Sequence, residues 1–92
     1  MIKSFKCAET EALSKGERVR RFVSIATVAQ RKLRQLQIAG RLDDLRVPPG
    51  NRFEALKGDR LGQHSIRIND QWRVCFRWTE AGAEDVEIVD YH

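Results

Sequence analysis

From Trp72 to Trp78 the chain alternates strictly: Trp72, Val74, Phe76 and Trp78 are apolar, with Arg73, Cys75 and Arg77 between them. A repeat of two is the signature of a strand with one apolar face. His64 to Ile68 alternates in the same way, and Asn69-Asp70-Gln71 between the two runs reads as a three-residue hairpin loop. That loop pairs Ile68 with Trp72 and Ile66 with Val74, which gathers the apolar residues on one face. A slip of one residue would bury Arg73 and Arg77, so the register is strongly specified. The opposite face then presents Arg67, Arg73 and Arg77 to solvent, an arrangement able to hold an anion. Ala81-Gly82 turns the chain again, and Asp85 to Val89 reads as the last strand.

The first half has a different period. Ile2 to Lys6 alternates and predicts a short strand; Glu9 to Lys15 predicts a short helix that stops at Gly16. Residues 18–39 predict the main helix, because Phe22, Ile25, Val28 or Ala29, Leu33 and Leu36 fall near helical spacing while Arg31, Arg34 and Gln35 mostly face away. Leu42 and Leu45 suggest one helical turn before Pro48-Pro49-Gly50 breaks it. Arg52 to Leu56 reads as a strand, followed by the turn-rich run 57–62. The expected fold class is α+β: an N-terminal strand and helices packed on one face of a small antiparallel sheet.

Composition adds bounds. Ninety-two residues, 41% apolar and 33% charged, fit one small globular domain spanning 1–92. No apolar run approaches the roughly 20 residues of a membrane-spanning helix, and the opening MIKSFKCAETEAL is too polar for a secretory signal. The expected location is the cytoplasm. Cys7 and Cys75 suit reduced packing residues, at least partly buried, rather than a disulfide framework. The net charge of +4 is uneven: residues 1–46 hold 11 Lys/Arg against 5 Asp/Glu, and residues 47–92 hold 6 against 8. A basic half suits a polyanionic partner such as nucleic acid, and equally a solvated helical face.

The candidate chemistry is narrow. No Walker-type loop, dinucleotide fingerprint or paired His/Cys metal spacing is present, so no cofactor is expected. Gly58 and Gly62 read as turn glycines, and His64 as a strand residue with a partly buried ring and no assigned role. What remains is the basic groups and the run Asp90-Tyr91-His92, an acid, a phenol and an imidazole side by side. Cleavage of a phosphodiester by its own 2′-hydroxyl requires a proton acceptor, a proton donor and cations that offset transition-state charge. His92 and Asp90 offer proton transfer, Tyr91 a hydroxyl or stacking surface, and Lys57 and Arg73 positive charge. The plainer reading is a strand that ends in polar residues on a basic protein; both fit the bare residues.

The run Leu56-Lys57-Gly58-Asp59-Arg60-Leu61-Gly62, then Ser65-Ile66-Arg67-Ile68-Asn69, Trp72-Arg73, Phe76 and the closing Asp90-Tyr91-His92, resembles the HigB toxins, a branch of the RelE-type superfamily of bacterial type II toxin–antitoxin pairs. The match is close from Leu56 onward; the first half agrees only in length, basic character and helix content. The resemblance implies a RelE-like microbial RNase fold and a ribosome-dependent mRNA endonuclease that cuts A-site codons without a metal. It implies catalytic roles for Lys57, Arg73, Asp90, Tyr91 and His92; Arg60, Arg67 and Arg77 are the expected substrate-binding residues. It implies as partners a HigA-type helix-turn-helix antitoxin, the ribosome and mRNA, with Arg18, Arg20, Arg21, Arg31, Lys32 and Arg34 available to ribosomal RNA or to the antitoxin. Glu54 departs from the pattern: better-known members carry a histidine three residues before the lysine. A carboxylate is no phosphate ligand but can act as a base. Two other readings stay in view, a same-fold toxin that poisons DNA gyrase and an inactive module that binds RNA or antitoxin.

Overall fold

The computed structural model describes residues 1–90. Helix α1 (Ala8–Ser14) and helix α2 (Ala26–Ile38) lie against an antiparallel meander of β1 (Glu54–Ala55), β2 (His64–Arg67), β3 (Trp72–Thr79) and β4 (Gly82–Asp90), in that spatial order. This is the expected α+β arrangement. The hairpin register is also the expected one: Ile66 opposes Val74 and Arg67 opposes Arg73, while Ile68 N donates to Trp72 O. Val74, Phe76, Ile66, Val86 and Ile88 are buried against Phe22, Ile25, Ala29, Leu33 and Leu36. Each of these side chains except Ala29 contributes roughly 1.5–3 kcal/mol of burial free energy. Trp72 and Trp78 pack at the margin, Trp72 meeting Phe22 edge-on at 5.6 Å.

Where elements differ from expectation, the reasons are local. Residues 18–39 are not one helix: Arg20–Ile25 is a 3-10 segment that feeds α2. Phe22 and Ile25, both buried, are three apart, which matches the 3.0-residue repeat of a 3-10 turn. The strand expected at 52–56 shrinks to Glu54–Ala55, because Pro49–Asn51 forms a 3-10 turn and Arg52 adopts φ 44°, ψ 51°. A left-handed residue cannot continue an extended ladder. The last strand is longer than expected, running from Gly82 to Asp90. It carries a bulge where Cys75 pairs Glu87 but Arg77 pairs Glu84, so β4 spends one extra residue at Asp85, φ 54°.

The N-terminal residues form no full strand. They make two parallel bridges to β4, Ile2 with Ala83 and Phe5 with Val86. Every edge donor of β4 in this stretch finds a partner: Ala83 N donates to Met1 O, Asp85 N to Ser4 Oγ, Val86 N to Ser4 O and Ile88 N to the buried Thr10 Oγ1. The edge is thereby closed to pairing with other chains. Among the described residues no helix is long and apolar enough to cross a membrane.

Two outcomes follow. Gly82 has φ 132°, and a Cβ there would collide with the Met1 carbonyl; Gly82→Ala should cost about 2–3 kcal/mol in urea unfolding. The His64 ring stacks between Phe53 (5.2 Å) and Phe76 (6.2 Å), its Nδ1 buried without a partner among the described residues. Burial first, and the Arg46 charge second, hold its pKa below 6.5. The native ring is therefore neutral, and its stabilisation, full above about pH 6.5, is lost as pH falls below that value, where the unfolded chain binds the proton first. Unfolding free energy measured from pH 7.5 to 5 should decline more steeply in the wild type than in His64→Gln.

Candidate functional site

Strand register builds a row across the outer face of the sheet, away from the helices. Glu54 opposes Ser65, Ser65 opposes Cys75, and Cys75 opposes Glu87, one residue from each strand. Arg73 stands two residues from Cys75 on the same face of β3. Its Nη1 donates to Ser65 Oγ at 2.9 Å and to the Arg52 carbonyl at 3.3 Å, and lies 3.3 Å from Glu54 Oε1. Its side chain is only 16% exposed. The guanidinium is thus held by β1, β2 and the turn before β1, with its orientation set before any ligand arrives.

The run after β1 folds back over this face. Arg60 Nη1 donates to Gln63 Oε1 at 3.2 Å and to Glu87 Oε1 at 2.9 Å. Glu87 belongs to β4, the strand farthest from β1, so the loop crosses the sheet. It explains why Cys75, on the outward parity of β3, is fully buried, together with Leu56 and Gln63. Burial pushes the Cys75 thiol up to about 11; Arg60 and Arg73 pull against that shift, while Glu87 and Glu54 add to it. The thiol is an inert floor rather than a nucleophile. Lys57 starts the 3-10 turn Gly58–Arg60 and is exposed, with no ion pair among the described residues.

The outward arginines are not bare cations. Arg73 faces Glu54, Arg60 faces Glu87, Arg67 bonds Asp70 within the hairpin, and Arg77 Nε lies 3.6 Å from Asp85 Oδ2. The hydrogen bond from Arg67, then its charge, holds the Asp70 carboxyl below the usual range. The Arg77–Asp85 pair, with both side chains about half exposed, is worth about 0–1 kcal/mol.

Asp90 falls on the other side. It opposes Trp72, whereas Arg73 opposes Val89, so Asp90 shares the helix-side face, where Gln71 Nε2 donates to its Oδ2 at 3.0 Å. The structure therefore brings Glu54 to Arg73 and does not bring Asp90 there. Tyr91 and His92 lie outside the described residues. Lys32, grouped with the surface cations in the sequence, is 8% exposed and buried in a polar cluster. Arg18, Arg20, Arg31 and Arg34 remain exposed; Arg21 pairs with Glu9 and lies over the rings of Phe22 and Trp72.

Sequence reasoning passed over Ser65, Glu87 and Arg52. Ser65 and Glu87 stand at outward positions of their strands, a signal that the period of two already contained. The Arg52 carbonyl left no such mark, because its placement depends on a left-handed backbone. An open cleft of about 390 Å³, lined in part by Ile2, Phe5, Leu33 and Arg34, lies on the helix side and not beside Arg73. Among the described residues no three His, Cys, Asp or Glu side chains converge to hold a metal ion.

Comparison with known proteins agrees with the motifs. Toxin HigB-1 of Vibrio cholerae serotype O1 is 48% identical over 60 residues, which cover 65% of this chain and 63% of that protein. A family model described as the RelE-like toxin of the type II toxin–antitoxin system HigB matches residues 11–92. The chain belongs to the HigB-like toxins.

Proposed function

We propose that this protein is a ribosome-dependent mRNA endonuclease, acting in the cytoplasm, that cuts A-site codons through attack of the 2′-hydroxyl on the adjacent phosphate. The observation that carries the reading is Arg73, oriented by Ser65, the Arg52 carbonyl and Glu54 on an outward sheet face beside the loop that holds Lys57. A planar, preoriented guanidinium fits two phosphate oxygens at once. Lys57, exposed on its flexible stem, adds a mobile charge as the phosphorane forms.

Proton transfer is divided between two side chains. Glu54, 3.3 Å from Arg73, accepts the 2′ proton of a nucleotide whose phosphate sits on that guanidinium. His92 donates to the leaving 5′ oxygen, and Tyr91 positions or stacks on the nucleotide. Asp90 acts from behind, where its bond with Gln71 fixes the end of β4. The step requires no metal, because acid, base and cations are all side chains. Arg60, Arg67 and Arg77 exchange their carboxylate partners for flanking phosphates. The exposed arginines of α2 and the preceding 3-10 segment contact ribosomal RNA with strong salt dependence. A HigA-type helix-turn-helix antitoxin is the neutralising partner.

Induced expression with primer extension on translated transcripts tests the assignment. Arg73→Ala, His92→Gln and a chain truncated before Tyr91 should each lower cleavage by about 10²-fold or more. Wild-type cleavage in any of them would sink that residue's role, and an induced DNA-damage response with unchanged mRNA ends would point to gyrase. Glu54→Gln separates base from spectator. It should lower the single-turnover rate by at least about tenfold, while ribosome binding measured by cosedimentation stays unchanged.

A further inference from the structure

The geometry points to a second layer behind the phosphate arginine: Lys32, Gln35 and Asn51 form a clamp that sets the Arg52 carbonyl and, through it, the aim of Arg73. This inference rests on the reading of Arg73 as the phosphate ligand.

Asn51 is fully buried, and its amide is saturated. Its Oδ1 accepts from Lys32 Nζ at 2.6 Å, and its Nδ2 donates to Gln35 Oε1 at 2.9 Å, to the Leu45 carbonyl at 3.0 Å and to the Val47 carbonyl at 3.4 Å. One side chain therefore ties α2 to both ends of the 45–51 segment. Lys32 is an unusual donor for such a place. A buried ammonium is costly, and burial, with Arg31 and Arg67 nearby, lowers its pKa. Among the described residues no carboxylate compensates it; a neutral amide does. A leucine or methionine would fill the volume at less cost, so what the lysine adds is direction, one strong donor aimed at Asn51 Oδ1.

The neighbouring residue gives that direction a use. Arg52 follows Asn51 directly and holds the left-handed backbone, φ 44° and ψ 51°, which a non-glycine residue adopts only when its surroundings impose it. The Asn51 amide is what the surroundings grip. With the backbone turned this way, the Arg52 carbonyl meets Arg73 Nη1 at 3.3 Å. If Arg52 relaxed to an ordinary extended conformation, its carbonyl would swing away and Arg73 would lose one of the groups that fix its aim. Lys32, Gln35 and Asn51 are thus positioning residues, acting on substrate only through Arg73.

Titration of the free toxin with inorganic phosphate, followed by the Arg73 Nε–Hε resonance in NMR, reads the aim without the ribosome. Asn51→Ser keeps the charge of the protein and should weaken phosphate binding about fivefold or more, with the Arg73 resonance moving toward that of a solvated arginine. Gln35→Met, a milder uncharged change, should weaken it about two- to threefold and decides the matter if Asn51→Ser does not fold. Leu36→Val, which removes a methylene from the same helix's core face, should destabilise the fold yet leave phosphate binding within about twofold. If the clamp variants lose no more affinity than Leu36→Val, the clamp is structural only and the inference is overturned. If Arg73→Ala leaves phosphate binding unchanged, the reading of Arg73 beneath it falls instead.

Discussion

The alternation along β3 is the constraint on which the rest of the molecule depends. Val74 and Phe76 point to the helices and are fully buried, so Arg73 and Cys75 must point the other way. Because a strand repeats every two residues, the core and the outer face are set by one decision. The aromatic and aliphatic residues that drive collapse onto α2 also place the guanidinium on the face where a phosphate can reach it. Stability and site share a cause, and neither can shift register without the other.

Covering the edges completes that arrangement. The N-terminal residues and Thr10 occupy the donors of β4, so the strand that leads to the closing acid–phenol–imidazole run is supported along its length. On the outer face the 57–63 loop does a similar job through Arg60 and Glu87, sealing Cys75 while leaving Lys57 exposed. The result is a shallow, charged surface rather than an enclosed pocket. A polyanionic strand needs such a surface, since its phosphates are met along a groove or face and not swallowed whole.

Charge pairing tempers the same surface. Each outward arginine arrives with a carboxylate neighbour, so the basic excess of the sequence is expressed mainly on the helical side, through Arg18, Arg20, Arg31 and Arg34. These ion pairs hold the side chains in place on the outer face. The Glu54–Arg73 pair stands out among them, because its two members have opposite tasks in the proposed reaction. In that proposal, the carboxylate that steadies the cation in the free protein becomes the proton acceptor once a phosphate takes its place.

Much of this was legible in the residues alone. The hairpin register, the helix-facing stripe from Phe22 to Leu36 and the outward placement of Arg67, Arg73 and Arg77 all follow from local periodicity, which a chain cannot evade without exposing its core. The family was legible from the motif around Lys57 and Arg73, read together with the closing residues. Other features came only from contacts between distant segments. Cys75 is expected to be at least partly buried and is, but the loop that covers it on the outward face of β3 comes from distant sequence. Lys32 looks like one more surface cation, and its burial requires Asn51, which is 19 residues away. Asp90 is grouped with Lys57 and Arg73 by the motif, but strand parity sends it to the face of Trp72. Periodicity is a property of neighbours along the chain and could be read from the sequence by itself; which polar group meets which across the fold was decided by tertiary packing, because those partners share no spacing.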